Sequence, residues 1–135
     1  MEYLFTFATV QSLVKLETLI INSCESIKEI IKDEKEDGCA EMVFGRLKSI
    51  ELESLPRLVR FYSGKATLQC SYLKIVMVVK CPSMITFSEG VIKVPMLSGI
   101  QTSKDSDLTF HDDLNTTIEK LFHQEIIIDI FGLGL

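Results

Sequence analysis

Apolar residues recur along this chain on one unequal beat, and that beat constrains the fold more than any local pattern does. Steps of three, three, two, three, three and three from Leu13 reach Leu16, Leu19, Ile21, Cys24, Ile27 and Ile30, and every position is apolar. The same steps from Phe44 give Leu47, Ile50, Leu52, Leu55, Leu58 and Phe61, and from Cys70 they give Leu73, Val76, Val78, Cys81, Met84 and Phe87. Hydrophobic residues make up 47% of the 135-residue chain, far too few for three unbroken sets to arise by composition. A fourth copy opens with Val94, Leu97 and Ile100, meets Thr102 and decays through Asp105, as the last unit of an array does.

The unit L-x-x-L-x-L-x-x-C/L is the leucine-rich-repeat signature, with repeats starting near residues 13, 44, 70 and 94. Alternate side chains of a strand point to opposite faces, so Leu19 and Ile21, Ile50 and Leu52, Val76 and Val78, and Ile100 are expected to face inward. No single strand of this kind is stable alone. Stacked side by side, the coils pair their strands into a parallel sheet and merge the inward side chains into one core. Each buried Leu or Ile contributes about 1.5–3 kcal/mol, and only the array collects enough of them to offset the chain entropy. The expected fold is an α/β repeat. It is a solenoid of one domain over 1–135, with a short parallel sheet on the concave face, a mostly irregular convex side and a C-terminal helical cap over 113–124.

Punctuation agrees with that layout. Pro56 and Pro82 each follow the last inward residue of a strand region, where the chain must turn, and Gly64 and Gly90 close the next turn. The returns at 58–61 and 84–87 are short and are expected to be irregular or 3₁₀. The first repeat is overlong, and its excess sits in the polar run 32–38, a solvated loop. Ile27, Ile30 and Ile31 at i, i+3 and i+4 predict a short helix within 25–35, capped by Ser23 or Ser26. At the far end Asn115 or Thr116 is the expected N-cap, with Glu119 completing a capping box and Ile118, Leu121 and Phe122 on one face. Residues 3–10 are nearly all apolar where an array needs a polar cap, which implies a further repeat upstream. The apolar run 126–131 reads equally as an added strand or as an aggregation-prone tail.

Side chains that alternate with the inward ones project from the concave face, the surface such arrays present to partners. The candidate protein-binding residues there are Ile20, Asn22, Glu51, Glu53, Ile75, Met77, Val79 and Gln101, beside Thr18, Ser49, Gly99 and Ser103. The trio Ile75, Met77 and Val79 has two open readings: docking of a partner, or coverage by another part of a larger chain or by a register bent at Val79. Glu51 and Glu53 form a flanking acidic patch suited to a basic surface.

Charge and motif content then narrow the function. Fourteen basic against 19 acidic residues give a net charge of −5 and no basic cluster, which argues against nucleic acid as a partner. No apolar run reaches the roughly 18 residues of a membrane span, and the first residues lack a secretory signal, so the expected compartment is the cytoplasm. Cys24, Cys39, Cys70 and Cys81 form no Cys-x-x-Cys pair and read as reduced, packed thiols. Gly64-Lys65 is followed by Ala66 and lacks the first glycine of a phosphate-binding loop. His111 and His123 read as surface residues, and Asp105, Asp107, Asp112 and Asp113 miss the calcium-loop spacing. No metal, no cofactor and no catalytic constellation is therefore expected in this chain, which reads as a non-enzyme.

Several stretches carry a more specific likeness. They are Leu16-Glu17-Thr18-Leu19-Ile20-Ile21-Asn22-Ser23-Cys24 with Glu29-Ile30-Ile31, the run from Phe44 to Phe61 containing Leu55-Pro56-x-Leu58, and Cys81-Pro82-x-Met84-x-x-Phe87. Pro95-x-Leu97 and Asp113-Leu114-Asn115-Thr116-Thr117-Ile118 complete the set. Together they resemble the C-terminal leucine-rich repeats of plant disease-resistance proteins of the coiled-coil, nucleotide-binding class. The resemblance implies a non-catalytic module that senses pathogen effectors or modified host proteins, or restrains a nucleotide-binding switch elsewhere in the polypeptide. It also implies that the chain is a fragment of a larger receptor, with ADP or ATP bound only by the nucleotide-binding domain, for which this sequence has no counterpart. The other role the repeat suits is that of an adaptor, such as the substrate-binding part of a ubiquitin-ligase component.

Overall fold

A computed structural model describes residues 2–6, 9, 15–32, 41–102 and 113–119. Its strands are β1 (Phe5–Thr6), β2 (Thr18–Asn22), β3 (Glu29–Lys32), β4 (Glu41–Val43), β5 (Ser49–Glu53), β6 (Arg60–Tyr62), β7 (Thr67–Gln69), β8 (Ile75–Val79), β9 (Ile92–Lys93) and β10 (Gly99–Gln101). They form three parallel sheets, ordered β10-β8-β5-β2, β1-β3-β6 and β4-β7-β9. Successive coils contribute one short strand to each.

The ladders reproduce the beat of the sequence. Ile50 pairs with Leu19 on one side and Val76 on the other, and Val76 pairs in turn with Ile100. Residues offset by 31, 26 and 24 are therefore neighbours across the four-stranded sheet. Burial follows the same steps: all seven residues of the set from Phe44, and all seven of the set from Cys70, lie in the core. In the first set Leu19 and Ile21 remain 9% exposed, against 0% for their partners Ile50 and Leu52; among the described residues β2 is one of the sheet's two edge strands. Leu13 lies outside the described residues.

The side of each coil remote from this sheet departs from expectation. Where a short helix is predicted in the first repeat, residues Glu29–Lys32 form β3, and the return of the second repeat forms β6 rather than irregular or 3₁₀ structure. The physical reason is lateral: Glu29 pairs with Arg60 and Ile31 with Tyr62, and β-branched Ile30 and Ile31 suit a pleated ladder better than a two-turn helix. Tyr62 continues to Ser88 through a single bridge. Phe61 and Phe87 stack beneath this ladder with centroids 4.6 Å apart. The third sheet is also unanticipated, although turns and irregular segments still make up most of the described return side, as expected. Its buried row, Met42, Leu68 and Ile92, stands two residues before each repeat start, an alternation that marks a strand on inspection.

Changes in repeat length fall on this return side. β3 pairs with β6 at an offset of 31, yet β4 pairs with β7 at 26, so the five extra residues of the first repeat lie between Lys32 and Glu41, within the polar stretch that the sequence marks. All three prolines open tight turns. Leu58, Met84 and Leu97 donate their amides to Leu55, Cys81 and Val94 at 3.1–3.3 Å, which puts Pro56, Pro82 and Pro95 at the turn position that their fixed φ suits.

At the N-terminal side Phe5 pairs with Ile31, so residues 5–6 extend the β3 ladder, and Leu4 and Phe5 pack on the core. Residues 114–119 are helical, with Leu114, Thr117 and Ile118 fully buried. The N-cap is Asp113, not Asn115 or Thr116: its Oδ1 accepts the Thr116 amide at 2.7 Å, and its carbonyl accepts the Thr117 hydroxyl. Asn115 is instead spent on the last coil. Its Oδ1 accepts the Ser88 amide at 2.7 Å, and its Nδ2 donates to Ser88 Oγ and to the Gly90 carbonyl. Glu119 accepts a hydrogen bond from Thr86 at 3.2 Å rather than closing a capping box. Leu121, Phe122 and the run 126–131 lie outside the described residues.

Candidate protein-binding face

The four-stranded sheet has one side on the core and one side facing out, and the ladder sorts its outward side chains into rows. Thr18, Ser49, Ile75 and Gly99 form the first; Ile20, Glu51, Met77 and Gln101 the second; Asn22, Glu53 and Val79 the third. The ladder thus places these positions on one side of the sheet, where Gly99 is buried, and Ser103 lies outside the described residues. Ile20 is 58% exposed and Ile75 38%, Asn22 is exposed, and Glu51, Glu53, Met77 and Gln101 are half-buried.

Val79 requires a correction. It is only 7% exposed, so the apolar trio shrinks to Ile75 and Met77. Strict alternation ends at the last residue of β8, whose burial runs exposed, buried, half-buried, buried, buried. The row-mates Asn22 and Glu53 stay in contact with water because desolvating an amide or carboxylate is costly, whereas burying the Val79 methyls is favourable.

No Lys or Arg occupies these rows, so Glu51 and Glu53 give the centre of the face a negative potential beside Ile20, Ile75 and Met77. Ser49 Oγ donates to Thr18 Oγ1 across the first row at a long 3.4 Å. Basic residues stand on the leading rim, where Lys48 pairs with Glu17 at 3.3 Å and Lys74 is exposed. On the trailing rim Ser23, Ser54 and Lys80 follow β2, β5 and β8 with φ of 55–56°, the left-handed region that L-residues seldom adopt. Two serines and a lysine make no single side-chain pattern, so sequence reading misses this column.

Thiol chemistry has little opening here. Cys24, Cys70 and Cys81 are free, and burial raises both the Cys70 and the Cys81 thiols, Cys70 from 9.0 to about 12. Cys81 also donates to the Val79 carbonyl at 3.4 Å. The sign of the consequence follows from holding a thiol protonated where the unfolded chain would ionise it. Stability is intact below pH 9 and falls between pH 9 and 12, by up to about 1.4 kcal/mol per unit from Cys70. Cys70→Ala is expected to flatten that alkaline limb in urea unfolding measured from pH 8 to 11; an equally steep limb would contradict it.

Among the described residues no group of three or more His, Cys, Asp or Glu side chains is placed to hold a metal, and no helix is long and apolar enough to cross a membrane. His111, His123, Asp105, Asp107, Asp112 and Cys39 lie outside the described residues.

No curated protein and no solved structure matches the chain. The family described as plant disease resistance protein RPS2-like, leucine-rich repeats, matches residues 1–94, more than half of the sequence, across the first three repeats and three of the four strands that build the outward face, β2, β5 and β8. With its apolar beat, its in-register parallel ladders and this match in agreement, the chain belongs to the leucine-rich repeats of RPS2-like plant disease resistance proteins.

Proposed function

We propose that this chain is a non-catalytic protein-recognition and regulatory module of a plant immune receptor of the coiled-coil, nucleotide-binding class, acting in the cytoplasm. The family membership supports a defence role. The observation that carries the recognition reading is the outward face itself, where exposed Ile20 and Ile75 and half-buried Met77 flank Glu51 and Glu53 on strands held in rigid register. Apolar side chains kept in water on a rigid surface are stabilised when a partner covers them. In this reading the coils form a solenoid, the helical segment at 114–119 caps its last coil, and the face meets a pathogen effector, a guarded host protein or the receptor's own nucleotide-binding domain. Nucleotide and any cofactor belong to that domain.

Pull-down of a coiled-coil-class nucleotide-binding domain, supplied in trans, tests this. Met77→Asp and Glu51→Lys are expected to cut capture at least about ten-fold, because the first puts a new charge, costly to desolvate, into the interface and the second reverses the charge that a partner would complement. Lys93→Glu, exposed on β9 of the return side, is expected to leave capture unchanged. Full retention by the face variants, with effector and host candidates as well, would overturn the assignment.

A further inference from the structure

Along the trailing rim of the four-stranded sheet, a groove of about 670 Å³ runs across the coils, bounded by Ser23, Ser54, Pro56 and Pro82. Its wall is preformed. The Ser23 amide donates to the Glu53 carbonyl at 3.0 Å, the Ser54 amide to Val79 at 2.9 Å, and Ser83 Oγ to the Pro56 carbonyl at 2.7 Å. Each of these bonds ties one coil to the next, so an occupant finds the shape already made and loses less entropy in binding.

Charge divides this groove by position. Glu25 stands in the first coil and Lys80 in the third, both exposed, and neither has an ion pair or hydrogen bond among the described residues. On the opposite rim the corresponding charges neutralise each other, as Glu17 and Lys48 do. Between Glu25 and Lys80 the groove presents two prolyl rings and two serine hydroxyls and no further charge. Two strand spacings separate the first coil from the third, about 10 Å. Three residues of a polyproline-II segment span about 9 Å and return side chains i and i+3 to one face.

We propose that this groove binds an extended peptide segment of a protein partner, with a basic residue against Glu25, an acidic residue three positions away against Lys80, and aliphatic or prolyl residues between them on Pro56 and Pro82. A lone anion or cation would satisfy one end and leave the other uncompensated. The site deepens the protein-recognition reading and rests on it, yet uses none of the residues that carry the outward face.

The probe is a fluorescein-labelled octapeptide with the core Arg-Leu-Pro-Glu between Gly-Ser ends, titrated with the whole chain at low ionic strength and read by anisotropy. Saturable binding is expected. Replacing the peptide Arg by Glu weakens it about five-fold, and Glu25→Arg restores the replaced peptide while weakening the original by a similar factor, the size expected for one exposed ion pair. Lys80→Glu behaves in the same way toward a peptide whose Glu is replaced by Arg. Both positions are exposed, and matched circular dichroism verifies that the variants fold. No saturable binding, or variants that leave both peptides unchanged, overturns the proposal. Loss of peptide binding in Met77→Asp overturns it too, since the peptide then sits on the outward face and the broader recognition reading survives. Reciprocal rescue together with full partner capture by Met77→Asp and Glu51→Lys leaves the groove standing and removes the outward face.

Discussion

Leu52→Asp abolishes cooperative folding, whereas Ser49→Asp, three residues earlier on the same strand, shifts the unfolding midpoint little. Leu52 is fully buried on β5, paired with Ile21 on one side and Val78 on the other. An aspartate there has no cation to meet, and an uncompensated buried charge costs about 3–5 kcal/mol, a large share of the 5–15 kcal/mol that holds a domain together. Ser49 points to the other side, half-buried, with only a 3.4 Å bond to Thr18 to lose, so its substitution stays within about 0.5 kcal/mol. Urea unfolding followed by circular dichroism separates the two. Equal midpoints would mean that the inward and outward sides of β5 have been exchanged.

The second large effect is expected at Gly90. Five residues, Ser63 to Thr67, join Tyr62 to Leu68 in one coil, and three, Glu89 to Val91, join Ser88 to Ile92 in the next, because the ladder offset drops from 26 to 24 between those points. The shortcut presses the chain onto its neighbour. A Cβ on Gly90 would stand 2.7 Å from the Lys65 carbonyl oxygen and 2.9 Å from that of Ala66, both backbone atoms with little room to retreat. Gly90→Ala is therefore expected to cost about 1–3 kcal/mol, the usual range for overpacking. It also strains the joint where Asn115 holds Ser88 and Gly90. Gly45→Ala is the control, since a Cβ there meets nothing within 4 Å. Similar losses at both glycines would refute the steric account.

Much of this architecture is legible in the sequence because inward positions tolerate only apolar residues, and the spacing of Leu19, Ile50, Val76 and Ile100 is the ladder register itself. The return side is harder to read. Ile27, Ile30 and Ile31 fit a helix face and a buried strand equally well, and what decides between them is Arg60–Tyr62, a segment some 30 residues away. The row Met42, Leu68 and Ile92 was available as an alternation two residues ahead of each repeat start. Asp113 and Asn115 are both good helix caps, and only the approach of Ser88 and Gly90 assigns their separate roles. On the candidate face, alternation places the exposed and half-buried residues of β2, β5 and β8 but misplaces Val79, whose position at a strand end lets burial override it, and on β10 it misplaces Gly99. Of the trailing groove the sequence shows the recurring Pro56 and Pro82, but not the column of Ser23, Ser54 and Lys80, which is fixed by a shared backbone conformation.

Both departures from a uniform repeat length, the five residues gained between Lys32 and Glu41 and the two lost between Ser88 and Ile92, sit away from the sheet that carries the outward rows. Insertions and deletions can accumulate there without altering the pitch at which Ile20, Glu51, Met77 and Gln101 are displayed. Such an array can vary in contour while its display surface stays in phase, so that the outward columns change by point substitution, one at a time.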